Sequence, residues 1–450
     1  MNNMNDQLEN SKISKLLLSL AIPSVLAMMV TLLYNMVDRI YIGHMADGAL
    51  AIAGIGLCSS IITIINAFTN LFGRGGAPLA SISLGAKDNQ RASKIMGNCL
   101  TSLIVTSIII MIVLFLFGED ILLLFGASEN TLSYAMSYLS IYSLGTIFVQ
   151  LTVGMNYFIN CQGHAKFGML TLVIGGVLNI ILDPIFIFVF NMGVAGAALA
   201  TIISQFVSFL WVMKFLLSDK STIKIKKEYL KIDLPIIKRI LELGISPFFM
   251  NSTEGILQVC FNRQLLFFGG DIAVSSMTIM ASLAQILFFP MEGIAQGSQP
   301  IISFNYGAKK YNRVKEAIKL VIKVSLTFSI VMVTLMEIFP QVFVGLFTSD
   351  PKLMELGCQM LRVYVFGYII MGANSTFQQS YTSLGEGKRS FFFAFYRKII
   401  LLIPLIYILP AILPYGVMAV MLAEPISDLI TCCTNSVFFR KFVKTKLVEE

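Results

Sequence analysis

Charge is what this sequence has least of. Asp, Glu, Lys and Arg make up 13% of its 450 residues, against about 25% in a typical soluble chain. A water-facing surface cannot be built from so few charges, so lipid must cover much of the chain. Histidine occurs only as His44 and His164, and no HExxH is present, which argues against an intramembrane hydrolase. No GxxxxGK[ST] occurs, so a pump driven directly by ATP is excluded. The seven cysteines (Cys58, Cys99, Cys161, Cys260, Cys358, Cys432 and Cys433) form no CxxC. They read as small apolar helix fillers rather than metal ligands or disulfide partners.

Apolar residues are abundant, at 56%. Many runs reach the ~20 residues needed to cross the hydrocarbon core. Backbone groups in lipid must be satisfied within the segment, so the runs should be helices; tilted barrel strands would be only ~10 residues long. The first run, Leu16 to Val37, is too long for a signal peptide and reads as a retained helix. The pattern predicts twelve segments: 16–43, 50–73, 95–117, 134–159, 167–190, 194–216, 237–268, 273–302, 315–340, 356–383, 391–411 and 415–438.

Of the 33 basic residues, Arg39, Arg263, Lys352 and Arg362 fall near one set of loops. The other 29 (33 − 4) fall at the termini or around the alternate loops, whereas the third loop carries Glu119, Asp120 and Glu129 and no base. Cytoplasmic loops retain Lys and Arg, so both termini are expected inside. The net charge of +8 is then a membrane-orientation signal rather than a nucleic-acid footprint.

The second half repeats the first at an offset of 222: Pro78, Ser81, Gly85, Ala86, Lys87 and Arg91 match Pro300, Ser303, Gly307, Ala308, Lys309 and Arg313. Tyr142, Gly145, Gly163 and Lys166 match Tyr364, Gly367, Gly385 and Lys388. Near the end the offset is 223, pairing Gly193, Val194, Ala200 and Ser204 with Gly416, Val417, Ala423 and Ser427. Each half has six helices starting on the same side, so the repeats are parallel and related by an axis along the membrane normal. The expected organisation is an N-lobe (1–213), a lysine-rich cytoplasmic linker (214–239) and a C-lobe (240–450). Parallel halves rocking about a central site is a transporter architecture.

Polar residues within the spans mark function by default. Asp38 lies in the first segment, Asn179 and Asp183 lie one turn apart in the fifth, and Thr201 lies in the sixth. At ~1.5 Å per residue, Asp38 falls ~8 Å and Asp183 and Thr201 ~10 Å below the outer helix ends, so the four side chains can share one depth. Two carboxylates, an amide oxygen and a hydroxyl suit a hard cation such as Na⁺; close carboxylates can instead share a proton. Taken singly, Asp38 reads as an interfacial partner of Arg39, Asp183 as the residue before a proline kink, and Thr201 as packing. The second half carries Glu254, Glu292, Glu424 and Asp428, candidates to hold a cationic substrate or relay protons. The counterparts of Asn179 and Asp183 there are Leu401 and Leu405, so this part of the chemistry is not duplicated. Pro23 and Pro247 occupy similar places in the first and seventh segments and permit bending.

The stretches VDRIYIGHM (Val37–Met45), GGAPLASISLGAKD (Gly75–Asp88), GIAQGSQPIISFNYGAK (Gly293–Lys309) and NIILDPIFIF (Asn179–Phe188) followed by GVAGAALAT (Gly193–Thr201) carry a resemblance. The chain resembles the multidrug and toxic compound extrusion (MATE) family over nearly its whole length, closest in pattern to the bacterial MepA-like and DinF-like branches. The resemblance implies an all-α, V-shaped, twelve-helix antiporter in the bacterial plasma membrane. It would export small organic, cationic or amphipathic compounds against Na⁺ or H⁺, without a cofactor, as a monomer. It also implies that Asp38, Asn179, Asp183 and Thr201 form an N-lobe cation site. Glu254 matches an acid that some members pair with an aspartate on the tenth helix. Here that region reads GANSTFQQ (Gly372–Gln379), so Asn374 and Gln378, with Glu254, Glu292 and Glu424, remain as candidates for substrate contact or a second proton site. A flippase for lipid-linked sugars shares the fold, but should carry a basic cavity for pyrophosphate, and the segments read as holding few mid-helix bases. A facilitator-type symporter would need a Gly-x₃-Asp-Arg-like loop motif, which is absent.

Overall fold

The computed structural model describes residues 4–45 and 48–448, and among them every regular element is a helix. The first lobe contains α1 (Met4–Asn10), α2 (Ile13–Gly43), α3 (Gly48–Gly85), α4 (Asn89–Leu124), α5 (Glu129–Asn160), α6 (Ala165–Pro184) and α7 (Gly193–Leu217). Residues 218–233 connect it to the second lobe: α8 (Leu234–Gly307), α9 (Tyr311–Ile338), α10 (Pro340–Gly345), α11 (Pro351–Val365), α12 (Tyr368–Ser383), α13 (Gly387–Phe395), α14 (Ile403–Ile412), α15 (Val417–Met421) and α16 (Ala423–Lys446).

Ten of these helical stretches are long and apolar enough to cross a bilayer, and α11 with α12 forms one more span bent by 43°. The 74-residue α8 is two spans joined at Gly270, whose φ of 63° only glycine adopts cheaply. Ten, the bent pair and the extra half of α8 give the twelve expected. The boundaries differ where local chemistry outweighs hydropathy. The tenth span begins at Pro351 because Asp350 accepts hydrogen bonds from the backbone N–H groups of Lys352 and Leu353 at 2.9 Å. The last helix runs on to Lys446, beyond its apolar stretch.

The repeat is written into the backbone. Lys87 and Lys309 are both left-handed (φ 61° and 58°), as are Gly163 and Gly385 (85° and 78°) and Gly193 and Gly416 (56° and 51°). The lobes meet at the end bearing the linker and the α1 helix, and they meet through glycine. A Cβ on Gly85 would lie 1.9 Å from the Phe304 carbonyl oxygen, and one on Gly307 would lie 1.9 Å from that of Ile82. These two contacts exchange under the offset of 222, as a two-fold axis between lobes requires. Small residues allow such approach where lipid supplies no hydrophobic drive between helices. α1 closes the same end: Arg313 donates to the carbonyls of Leu8 (3.2 Å) and Ser11 (2.7 Å). Large apolar side chains such as Phe115, Leu124 and Phe267 point outward, as a lipid-facing belt should.

Candidate cation and substrate sites

In the first lobe, α6 and α7 join three of the four predicted side chains directly. The Asn179 amide donates to Asp183 Oδ1 at 3.0 Å and to Thr201 Oγ1 at 3.4 Å. Thr201 in turn donates to the Ala197 carbonyl at 3.0 Å. Pro184 ends α6, and a π-helical turn (Ile185–Val189) follows. Asp38 approaches from α2, close enough to Asp183 for the two carboxyl groups to interact electrostatically. Asp183 is fully buried and Asn179 nearly so.

Three buried oxygens here have no hydrogen-bond partner: Asp38 Oδ1, Asn179 Oδ1 and Asp183 Oδ2. Arg39 therefore does not cap that oxygen of Asp38. Unpaired buried acceptors are costly, and a cation or proton would relieve them. Among the described residues no cluster of three or more His, Cys, Asp or Glu side chains suits a metal ion, so any cation here would also need the amide and hydroxyl oxygens. Two tyrosines join the set: Tyr34 lies close enough to Asp38 to interact electrostatically, and the Tyr138 hydroxyl lies beside Thr201. Sequence reasoning missed both. Their signal was a phenol in a helix interior, since a buried tyrosine hydroxyl usually finds a polar partner.

Between the lobes, above the glycine contacts, lies a cavity of about 920 Å³. Glu254, Glu292, Glu424 and Gln378 line it, and none of the three acids stands free. Glu254 receives a hydrogen bond from Lys398 at 2.5 Å, and Lys398 also donates to the Met250 carbonyl at 2.7 Å. Arg397 bonds Glu424 at 2.8 Å and also bonds Asp428. Glu292 pairs across the lobes with Arg74 of α3 at 2.7 Å. Gln378 donates to Ser246 at 3.0 Å. Asn374 instead turns to α16, where it donates to the Asp428 carbonyl at 3.2 Å.

The MatE family model matches residues 23–185 and 248–408. The chain belongs to this family. It is 27% identical over 405 residues to the multidrug export protein MepA of Staphylococcus aureus (strain MSSA476), spanning 90% of this chain and 89% of that one. The Staphylococcus haemolyticus MepA is 28% identical over 402 residues, 89% of this chain and 88% of that one. Among solved structures, the MATE multidrug transporter DinF-BH, solved as a complex with a bound compound, is 35% identical, covers 97% of both chains and superposes with a TM-score of 0.89. An outward-facing MATE transporter at 22% identity shares the fold over 99% of both chains, with a TM-score of 0.92.

Within this MATE fold, one part of the sequence reading needs correction. The sequence reading places Arg74, Arg397 and Lys398 around the basic loops, although Arg397 and Lys398 fall within the predicted segment 391–411, and so leaves the cavity with acids and few bases. All three line it. Arg74 is drawn in because α3 continues as helix to Gly85. Arg397 and Lys398 sit on a π-helical stretch, Tyr396–Leu402, inside the predicted span rather than at its edge. Their counterparts in the first half are Gly175 and Gly176, a substitution of glycine by base that the repeat alignment already contained.

Proposed function

We propose that this protein is a secondary active antiporter. It exports small organic compounds, cationic or amphipathic, by alternating access in exchange for Na⁺ or H⁺. The observation that carries the reading is the trio of orphaned oxygens on Asp38, Asn179 and Asp183, set in one lobe of a two-lobed membrane fold with a drug-sized cavity between the lobes. The names of MepA and of DinF-BH with its bound compound support the substrate class. In this reading Asp38, Asn179, Asp183 and Thr201 bind the coupling cation. Glu254, Glu292, Glu424 and Gln378 face substrate, while Asn374 supports α16. Pro23 and Pro247 lack the N–H that would bond Ser19 and Leu243, and let α2 and α8 bend. The N-lobe is 1–213, the linker 214–239 and the C-lobe 240–450, the linker so bounded taking in the last turn of α7 and the first turns of α8 around the non-helical connection. The protein acts as a monomer in a bacterial plasma membrane with both termini and the glycine contacts cytoplasmic, and catalyses no covalent chemistry.

The bases found in the cavity remove the earlier ground for setting a flippase aside. Their pairing supplies another: Arg74, Arg397 and Lys398 are each held by a carboxylate, which among the described residues leaves Arg39 as the one lining base without a salt bridge, and a single guanidinium is no cradle for a pyrophosphate. The test is export in proteoliposomes with Na⁺ and pH gradients imposed separately. Asp38→Asn and Asp183→Asn should each abolish gradient-driven export, and the double variant should be no worse than either, because residues of one site are non-additive. Normal transport by Asp38→Asn, or effects that simply add, would refute a shared site.

A further inference from the structure

Four bases and three acids line the cavity, and one more acid behind it brings the charge to balance. Arg39, Arg74, Arg397 and Lys398 face Glu254, Glu292 and Glu424, with Asp428 directly behind Arg397. Among the described residues every carboxylate lining this space already holds a base, so an entering cation competes with a resident base. The pairs differ in how readily they yield. Arg397 is gripped by two acids, and both are buried. Arg74 and Glu292 bridge two lobes, and Gln379 and Gln296 support them. Glu254 is different: its side chain is 64% exposed to the cleft, whereas its partner Lys398 is only 2% exposed. One member of this pair is open to an arriving ligand and the other is shut away from water.

We infer that Lys398 carries a proton, in addition to the cation taken up by the first lobe, in exchange for a cationic substrate, through competition for Glu254. This deepens the antiporter reading and rests on it. A monovalent organic cation pairs with the exposed Glu254 carboxylate. The Lys398 ammonium loses the carboxylate bonded to it and keeps the Met250 carbonyl. An ammonium without an anion in a buried pocket is unstable relative to the neutral amine, so its N–H proton passes to cleft water. One positive charge enters and one leaves, and the cluster's charge is unchanged. In the return step a proton from outside recharges Lys398, which retakes Glu254 and expels the cation. The neighbouring charges make recapture by another acid unfavourable. On its own helix Lys398 faces the Arg397 guanidinium. From α16, Glu424 and Asp428 are both committed to Arg397, and the phenols Tyr364 of α11 and Tyr368 of α12 lie beside Glu424, with Tyr364 also near Glu254 and Tyr368 near Arg397. The pair has no counterpart in the first lobe. With these two helices aligned on Pro23 and Pro247, Glu254 corresponds to Val30, which packs against Gly176, so the matching contact there is apolar. The π-helical turn that presents Lys398 is a geometry frequent at functional sites.

The test uses purified full-length protein carrying Asp38→Asn and Asp183→Asn, which silences titration in the first lobe. Tetraphenylphosphonium is the probe, and released protons are read by an indicator dye in weak buffer. This background should release about one proton per cation bound, and affinity should weaken about tenfold for each unit fall in pH, by linkage. Lys398→Gln should bind the probe with pH-independent affinity and release no proton. Lys398→Arg should keep the ion pair and the fold, yet bind the probe weakly and release none, because a guanidinium stays charged. A purely structural role would instead be rescued by arginine. Binding without proton release in the background protein, as when Lys398 swings to Glu424, overturns the inference, and so does release that survives Lys398→Gln. Failure of the otherwise unmodified protein to bind the probe overturns the cation-export reading itself, and the inference with it.

Discussion

Replacing Gly307 by alanine should push this molecule out of the conformation described here. The added Cβ would sit 1.9 Å from the Ile82 carbonyl oxygen, whereas real Cβ contacts do not fall below 3.0 Å. The opposing atom is backbone in a long helix, so a rotamer change cannot relieve the clash. The lobes must separate by about 1.1 Å (3.0 − 1.9) at this point. Overpacking of this kind costs about 1–3 kcal/mol, enough to shift a two-state equilibrium about 5–150-fold. The penalty falls only on states in which the lobes touch here, so alternating access becomes biased toward the state open at this end. Spin labels at Gln90 and Asn312, exposed and related by the repeat, report the separation by pulsed dipolar spectroscopy in a variant without native cysteines. The expected result is a longer, broader distance distribution and slowed export. Gly85→Ala should act alike, since its Cβ meets the Phe304 carbonyl oxygen at the same distance. Gly56→Ala is the control, because nothing lies within 4 Å of its Cβ position. An unchanged distribution with normal export in Gly307→Ala would refute this end as the closing surface.

Two further outcomes are expected. Glu292→Gln leaves the Arg74 guanidinium facing the cavity unpaired, so affinity for a monovalent organic cation should fall about tenfold, roughly 1.4 kcal/mol; the added change Arg74→Gln should restore it, and equal binding by single and double variants would contradict the charge argument. At the α1 end, the Lys310 ammonium 2.9 Å from Glu9 holds that carboxyl below its ordinary value of 4.5. A carboxyl lowered by folding stabilises the docked α1 above its unfolded value and loses that contribution as pH falls through the folded one. A spin label at Gln7 should therefore become mobile only below about pH 4.5, and Lys310→Gln should remove the transition.

The fold was legible because lipid imposes few solutions. Twelve apolar runs, alternating basic loops and the offset of 222 already demanded two parallel six-helix lobes, and even Gly85 and Gly307, the points where the lobes meet, stood in the repeated motifs. The N-lobe set was legible for a related reason. Asn179 and Asp183 are one helical turn apart, and a polar pair in an apolar segment has few explanations. Tyr34 and Tyr138 were not, because nothing in their spacing says which partner a phenol meets across two helices. The cavity's bases were lost to a one-dimensional view of helix ends: the sequence reading groups Arg397 and Lys398 with the basic loops, while the π-helical turn and the acids of α8 and α16 draw them inside.

The duplicated scaffold thus carries two different solutions to one electrostatic problem. At one crossing of helices the first lobe has Gly176 against Val30 and the second has Lys398 against Glu254. At another, Thr201 and Gln205 in the first lobe correspond at the offset of 223 to Glu424 and Asp428 in the second, which need Arg397 to be tolerated. The first lobe leaves acids short of partners, so it can take up a cation or proton. The second supplies each acid with a base, so a ligand there must compete with a charge already in place. A pair of lobes built this way can bind an ion and a drug at separate places, and a single closing motion at the Gly85 and Gly307 contacts acts on both.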